Sequence, residues 1–274
     1  MKNKKAILIL SIIIGILICI FIINSEKLKE QTRLLLAPQI SGKGIAMPYV
    51  FAEDLERTNS SWYYNWGPCS TYPPGCVPMS WAGTDPNLPT DYSDYILLFN
   101  EPDRPDQANL TPETGLIIYK ELKLKYPAAK WVVGNTFYPN WLYSFKTLCQ
   151  ADADCIMPEY WGLHAYMGDI EYLSFMKKQL TIAHNKLGGI FWITEFASVY
   201  GNLSVNDGLV KFFESKEWIE RWAIFCNRAM GTEPWYPSSW VVRMFDWNTG
   251  EPTKIGNWYI NGLYENFLPL IADR

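Results

Sequence analysis

Two glutamates stand where apolar runs stop. In Ile96-Leu97-Leu98-Phe99-Asn100-Glu101-Pro102-Asp103 polar residues follow a hydrophobic stretch, and Pro102 cannot donate to a strand ladder. In Ile190-Phe191-Trp192-Ile193-Thr194-Glu195-Phe196 a second apolar run reaches Glu195. A charge costs little at a strand end in solvent and much inside an apolar shell, so each glutamate is expected at the carboxyl end of a buried strand. In α/β barrels those ends line the active site. Two carboxyl groups facing one cleft can divide the work of glycoside hydrolysis: one protonates the leaving oxygen, the other attacks the anomeric carbon or activates water. Spacing alone leaves a plainer alternative open, in which each glutamate ends its strand and pairs with a lysine.

Elements able to position such a pair can be read from Gly44 onward, where short apolar or aromatic runs alternate with helical stretches. Eight strands are expected: Gly44 to Ala46, Trp62 to Trp66, Val77 to Trp81, Tyr95 to Asn100, Trp131 to Asn135, Trp161 to Tyr166, Ile190 to Glu195 and Trp218 to Phe225. The clearest helix runs from Thr111 to Tyr126, with Thr111 as cap, Pro112 in the first turn and Pro127 as stop. A second spans Ile170 to Leu187, its apolar residues Leu173, Met176, Leu180 and Ala183 on one face and Gly188-Gly189 at its end. Helices between the first four strands are ragged. The pattern predicts a (β/α)8 TIM barrel over residues 43–274; a doubly wound open sheet shares the same alternation.

Ahead of that domain, Lys2, Lys4 and Lys5 precede Ala6 to Ile23, a run without a charged residue. At the helical rise it spans roughly 27 Å, about the thickness of a bilayer core. Residues 1–23 are therefore expected to be a transmembrane signal anchor, with 24–42 a linker and the domain outside the cytoplasm, where the leading lysines stay in. A cleaved signal peptide and a secreted domain is the alternative. Cysteine usage agrees with an oxidising compartment: Cys69 with Cys76 and Cys149 with Cys155 would each close a short loop, leaving Cys226 buried and unpaired. Only two histidines and no paired-cysteine spacing suit zinc, so no metal and no cofactor are expected. The net charge of −4 lacks the basic excess of a nucleic-acid binder. Aromatic residues make up 16% of the chain, including 13 Trp and 17 Tyr, and rings of this kind suit stacking on sugar faces as well as filling a core. Sequons at Asn59, Asn109 and Asn202 permit glycosylation.

Four segments, Trp62-Tyr63-Tyr64-Asn65-Trp66, Leu98-Phe99-Asn100-Glu101-Pro102-Asp103, Gln107-Ala108-Asn109-Leu110-Thr111-Pro112 and Trp192-Ile193-Thr194-Glu195-Phe196, together resemble glycoside hydrolase family 128 in order and spacing. The resemblance runs from about Gly44 to the carboxyl terminus. It implies endo-acting cleavage of β-1,3-glucan on a clan A barrel, with the acid/base after strand four and the nucleophile after strand seven. Counting strands independently puts Glu101 after the fourth and Glu195 after the seventh. By the resemblance Glu101 is acid/base, Glu195 nucleophile, and Asn100 a hydrogen-bond partner of the sugar 2-hydroxyl. His164 and Tyr166 fall in a segment where Ala165 replaces the usual tryptophan, and Ile224 stands where an aromatic is common. Tyr166 is expected to hydrogen-bond the nucleophile and His164 to hold Glu101 or a sugar hydroxyl, although a core histidine satisfied by backbone fits the same position. Tyr64 and Trp66, ending strand two, are the expected stacking platforms. Residues 232–239, with Trp235 and Tyr236, are expected either at the cleft rim or in packing.

The expected partner is a β-glucan polysaccharide or oligosaccharide, met by a monomer tethered to the membrane through its anchor. Hydrolysis or transglycosylation of another β-glucan uses the same two glutamates. A non-catalytic glucan-binding protein has no need of the pair.

Overall fold

The computed structural model describes residues 42–69, 72–234 and 236–262. The anchor, nearly all of the linker, and Trp235 lie outside the described residues. Eight strands form one all-parallel sheet: β1 (Lys43–Ala46), β2 (Trp62–Tyr64), β3 (Met79–Ser80), β4 (Tyr95–Leu98), β5 (Lys130–Thr136), β6 (Tyr160–Met167), β7 (Ile190–Ser198) and β8 (Ile219–Phe225). Their order is β2-β1-β8-β7-β6-β5-β4-β3. β1 pairs with β8, so the sheet curls back on itself. The remaining gap, between β2 and β3, is crossed by one parallel bridge from Tyr63 to Cys76, with Val77 N–H donating to Tyr63 O at 2.8 Å and Met79 N–H to Gly67 O at 3.0 Å. The result is a nearly closed TIM-like barrel.

Among the described residues six α-helices accompany the strands: α1 (Ala52–Thr58), α2 (Pro112–Lys125), α3 (Asn140–Ala151), α4 (Leu173–Leu187), α5 (Leu203–Glu214) and α6 (Lys254–Asn257). The signals for α2 are realised in full: the Thr111 side chain accepts from Thr114 N–H at 3.2 Å, with Pro112 in the first turn. α4 is shorter than its pattern suggests, because Ile170–Tyr172 tightens into a 3-10 turn before it. No helix among the described residues separates β2 from β3 or β3 from β4; loops and the Cys69–Cys76 disulfide fill the first of these spans. The predicted strand from Val77 to Trp81 shrinks to two residues for the same reason: near the gap it has a ladder partner on the β4 side alone.

Strand residues alternate between two packed layers. Ile96 and Leu98 join the cluster that holds the helix residues Leu116, Tyr119 and Leu122, whereas Leu97, Val132 and Trp192 meet inside the barrel. Burial on both faces explains why these strands read as near-continuous apolar runs. The fold is further tied where Asp54 of α1, fully buried, takes Arg228 Nε at 3.0 Å and Nη2 at 2.7 Å from the chain after β8. Such a bidentate pair compensates the burial of both charges. Both predicted disulfides are present, and Cys226 is free and buried.

Candidate active site

β4 ends at Leu98, and the chain then leaves the sheet abruptly. Phe99 (φ 69°) and Glu101 (φ 43°) both adopt left-handed backbone, which non-glycine residues accept only when neighbours hold them there. The neighbour is Asn135, near the end of β5. Its Nδ2 donates to Leu98 O at 3.1 Å and Phe99 O at 2.8 Å, and its carbonyl accepts Glu101 N–H at 2.9 Å. Asp103 extends the brace by accepting Phe137 N–H at 3.3 Å and Tyr138 N–H at 2.8 Å. Its carboxyl is raised from the usual range by burial, against the pull of these backbone donors.

Glu195 arrives from the other side of the barrel. β7 does not stop there as the sequence predicts; it runs on to Ser198 alongside β6. The register between these two strands shifts between Leu163 and His164, and the shift places His164 opposite Glu195. His164 Nδ1 lies 2.9 Å from Glu101 Oε1 and Nε2 3.3 Å from Glu195 Oε1. The second approach is close enough for charge attraction but is not aligned as a hydrogen bond. Burial alone would lower the His164 pKa; Glu195 and Glu101 outweigh it, so the imidazole is raised above its ordinary value and favours the cation. One ring thus joins both carboxylates, and the backbone-satisfied core histidine is not what the structure contains.

Three neutral donors converge on Glu195. Tyr64 Oη donates to Oε1 at 2.8 Å, Tyr166 Oη to Oε2, and Trp66 Nε1 to Oε1 at 3.2 Å. Burial raises the Glu195 carboxyl; His164 and the two tyrosines pull it back toward the ionised form while Glu101 pushes it up. Tyr64 is 0% exposed, so the stacking surface expected of it is closed and its contribution is to Glu195. Trp66 is half-buried, with its indole N–H shared between Glu195 and Asn100 Oδ1 at 3.1 Å. Asn100 in turn gives Nδ2 to Gln107 Oε1 at 3.1 Å. Arg104 Nε lies 3.3 Å from Glu101 Oε2 and the same side chain pairs with Asp106.

These groups open into a cleft of about 480 Å3, lined by Glu101, Glu195, Asn100 and the rings of Trp66, Trp81, Phe137, Tyr166, Phe225 and Trp240. Arg104 and Gln107 also reach it, as do Pro234 and Pro237 of the segment expected at its rim; Tyr236 is buried beneath. Arg104, Gln107, Phe137 and Trp240 are the residues that reading by strand ends misses, because they sit in loops where no period reports direction. The run of polar residues directly after Glu101 was the available signal for the first two. Among the described residues no cluster of His, Cys, Asp and Glu is arranged to hold a metal.

A parallel barrel whose strand ends bring two buried carboxylates to one aromatic-walled cleft has the layout of a barrel glycosidase. The chain belongs to the glycosyl hydrolase catalytic core family, whose model matches residues 49–259. No curated protein matches the chain. Solved structures with the same fold include an endo-β-1,3-glucanase of family 128 subgroup I from Amycolatopsis mediterranei in complex with laminaritriose, at 23% identity and TM-score 0.64, over 80% of this chain and 98% of that one. A subgroup II endo-β-1,3-glucanase from Sorangium cellulosum shares 19% identity at TM-score 0.62, over 80% and 98%. A subgroup III curdlan-specific exo-β-1,3-glucanase from Blastomyces gilchristii shares 22% at TM-score 0.59, over 82% and 99%.

Proposed function

We propose that the protein is a retaining endo-β-1,3-glucanase of glycoside hydrolase family 128, with Glu195 as nucleophile and Glu101 as general acid/base. The observation that carries the reading is the unequal surroundings of the two carboxylates. Three neutral hydrogen-bond donors fix Glu195 in position and favour its ionised form, which suits a group that must attack an anomeric carbon. Glu101 faces the cleft from a braced turn, held by His164 Nδ1 and near Arg104, where it can give a proton to the leaving oxygen and take one from water. In the first step Glu195 bonds to the anomeric carbon as the glycosidic carbon–oxygen bond breaks, and the proton of Glu101 goes to the leaving oxygen. In the second, Glu101 takes a proton from water, which displaces Glu195 and restores the original configuration. Linkage preference is supported by the family-128 resemblance of the site segments and by the shared fold with β-1,3-glucan-active enzymes.

Two substitutions separate the roles. Glu195→Gln should abolish turnover on every substrate. Glu101→Gln should cripple hydrolysis of laminarin while still releasing an activated aryl leaving group, with azide restoring turnover to a β-configured azide. Azide rescue of Glu195→Gln with a β-configured product, and none in Glu101→Gln, would reverse the assignment, whereas an α-configured azide from Glu195→Gln is what a missing nucleophile gives. Product profiles on laminarihexaose decide the mode: internal cuts support endo action, and glucose as sole early product would make the enzyme exo-acting. Residues 1–23 are proposed to tether the domain outside the cytoplasm, a reading supported by the two disulfides. Sedimentation with membranes before, but not after, deletion of residues 1–30 is the expected result, with activity retained; aggregation of the shortened chain would show that the segment packs on the domain.

A further inference from the structure

From Cys226 to Val242 no helix or strand forms among the described residues, yet Pro234, Pro237 and Trp240 of this stretch wall the cleft. The stretch folds as two turns: Tyr236 N–H donates to Glu233 O at 3.0 Å and Trp240 N–H to Pro237 O at 2.9 Å. Beneath them the buried Tyr236 gives its Oη to Trp240 O at 3.0 Å. A carboxylate anchors the first turn. Glu233 Oε1 accepts Met230 N–H at 2.7 Å, and Oε2 accepts Gly231 N–H at 2.8 Å and Thr232 N–H at 3.1 Å. Tyr49 Oη, from the loop after β1, adds a donor at 3.4 Å. Successive N–H groups that converge in this way form an anion cradle, and Gly231, at φ 86°, supplies the left-handed backbone that turns them inward.

The cradle is filled by an anion that the chain itself carries. Burial alone would raise the Glu233 carboxyl, but the backbone N–H groups around it outweigh burial and hold it below the usual carboxylate range. It is therefore ionised at neutral pH. A buried charge is unfavourable unless its donors are in place, so the cradle favours a single loop shape, and Pro234, the next residue, is fixed with it. Trp240, at the end of the second turn, packs on Tyr166 at 5.1 Å and on Phe225 at 6.1 Å between centroids. We propose that Glu233 is a positioning residue: its carboxylate fills the backbone cradle and so sets the wall of Pro234, Pro237 and Trp240 against which the glucan lies. The inference rests on the β-1,3-glucanase reading. Glu233 does not itself line the cleft, so its effect on substrate passes through that wall.

Two variants separate the anion from simple filling of space. Glu233→Ala empties the cradle, whereas Glu233→Gln keeps the size but turns an amide NH2 toward N–H donors. On laminarihexaose, well below the melting transition, Glu233→Ala should raise KM by roughly tenfold, the scale of a lost charge-assisted hydrogen bond. Its kcat should stay within about twofold of the parent, because binding and not the reacting groups is disturbed. Glu233→Gln should move KM in the same direction by less. Acetate at constant ionic strength should return the KM of Glu233→Ala toward the parental value and leave the parent and Glu233→Gln unchanged, since only the alanine variant has an open cradle. If Glu233→Ala does not fold, Glu233→Gln decides. Parental KM in Glu233→Gln, a fall in kcat at unchanged KM, or a raised KM in Glu233→Ala that acetate does not lower would overturn the proposal while leaving the enzyme a β-1,3-glucanase. A parent that cleaves no laminari-oligosaccharide would remove the functional reading, and the proposal with it.

Discussion

At the scale of residues, the site works by leaving few side chains free to choose a partner. Trp66 has only a donor to offer, so the oxygen of Asn100 must turn toward it and the amide nitrogen must turn away, where Gln107 Oε1 receives one of its hydrogens. Under the proposed mechanism the second hydrogen of that nitrogen would serve a substrate hydroxyl, and Gln107 would act through Asn100 as a positioning residue. Gln107→Leu should lower kcat/KM on laminari-oligosaccharides by roughly tenfold, the scale of one neutral hydrogen bond with its geometry lost. Gln107→Glu keeps the acceptor and should retain more activity than the leucine variant. On a substrate lacking the 2-hydroxyl, parent and Gln107→Leu should converge, because the hydroxyl that Asn100 serves is gone. An undiminished gap between them on the 2-deoxy substrate would make the effect structural.

At the scale of elements, the placement of Glu101 depends on a contact between β5 and β6. Asn135 holds the turn after β4, and Gly162 of β6 lies so close that a Cβ there would stand 2.1 Å from Asn135 Oδ1 and 2.8 Å from its backbone nitrogen. A side-chain atom can swing aside; the backbone of a central strand cannot. Gly162→Ala is expected to destabilise the domain by about 1–3 kcal/mol, the usual cost of overpacking, and to lose more activity than thermal stability alone explains, since the displaced asparagine releases Glu101. A melting curve and residual activity measured well below the transition check both parts; full activity with a lowered Tm would show that Asn135 does not set the acid. This is also where legibility in the sequence ends. Glu101 could be found because a buried strand declares its end by turning polar, Glu195 because its charge interrupts an apolar run even though β7 continues past it to Ser198, and α2 because its cap and prolines are local signals. The joining of both carboxylates by His164 depends on a register shift between two strands distant in sequence, and nothing local reports it. Tyr64 differs from its expected role for a related reason: β2 ends at Tyr64 and not at Trp66, and the pleat sends Tyr63 toward the helices and Tyr64 into the barrel, so the ring expected on the surface is buried.

At the scale of the whole molecule, the barrel is weakest at one gap, and the active-site wall is built beside it. β2 and β3 share no strand ladder; the bridge at Tyr63 and Cys76 and the Cys69–Cys76 disulfide cross between them. The loop so fastened carries Gly67 and Pro68 and follows directly on Trp66. The other disulfide, Cys149–Cys155, only fastens the end of α3 to the turn after it. Because the two bridges span similar separations of 7 and 6 residues, loop-closure entropy assigns them nearly equal stabilisation, about 2.5 kcal/mol each. Their contributions to function should differ. Replacing Cys69 and Cys76 together by serine should lower Tm about as far as replacing Cys149 and Cys155, yet only the first pair should raise KM for laminarin, because only the first bridge holds Trp66 and its loop against the cleft. The comparison is made on protein matured in an oxidising compartment, at a temperature where both variants remain folded. Equal KM values for the two double variants, or a larger change in the Cys149 and Cys155 variant, would show that the gap is held by backbone bonding alone. A rise confined to the Cys69 and Cys76 variant would tie barrel closure to substrate binding through that bridge.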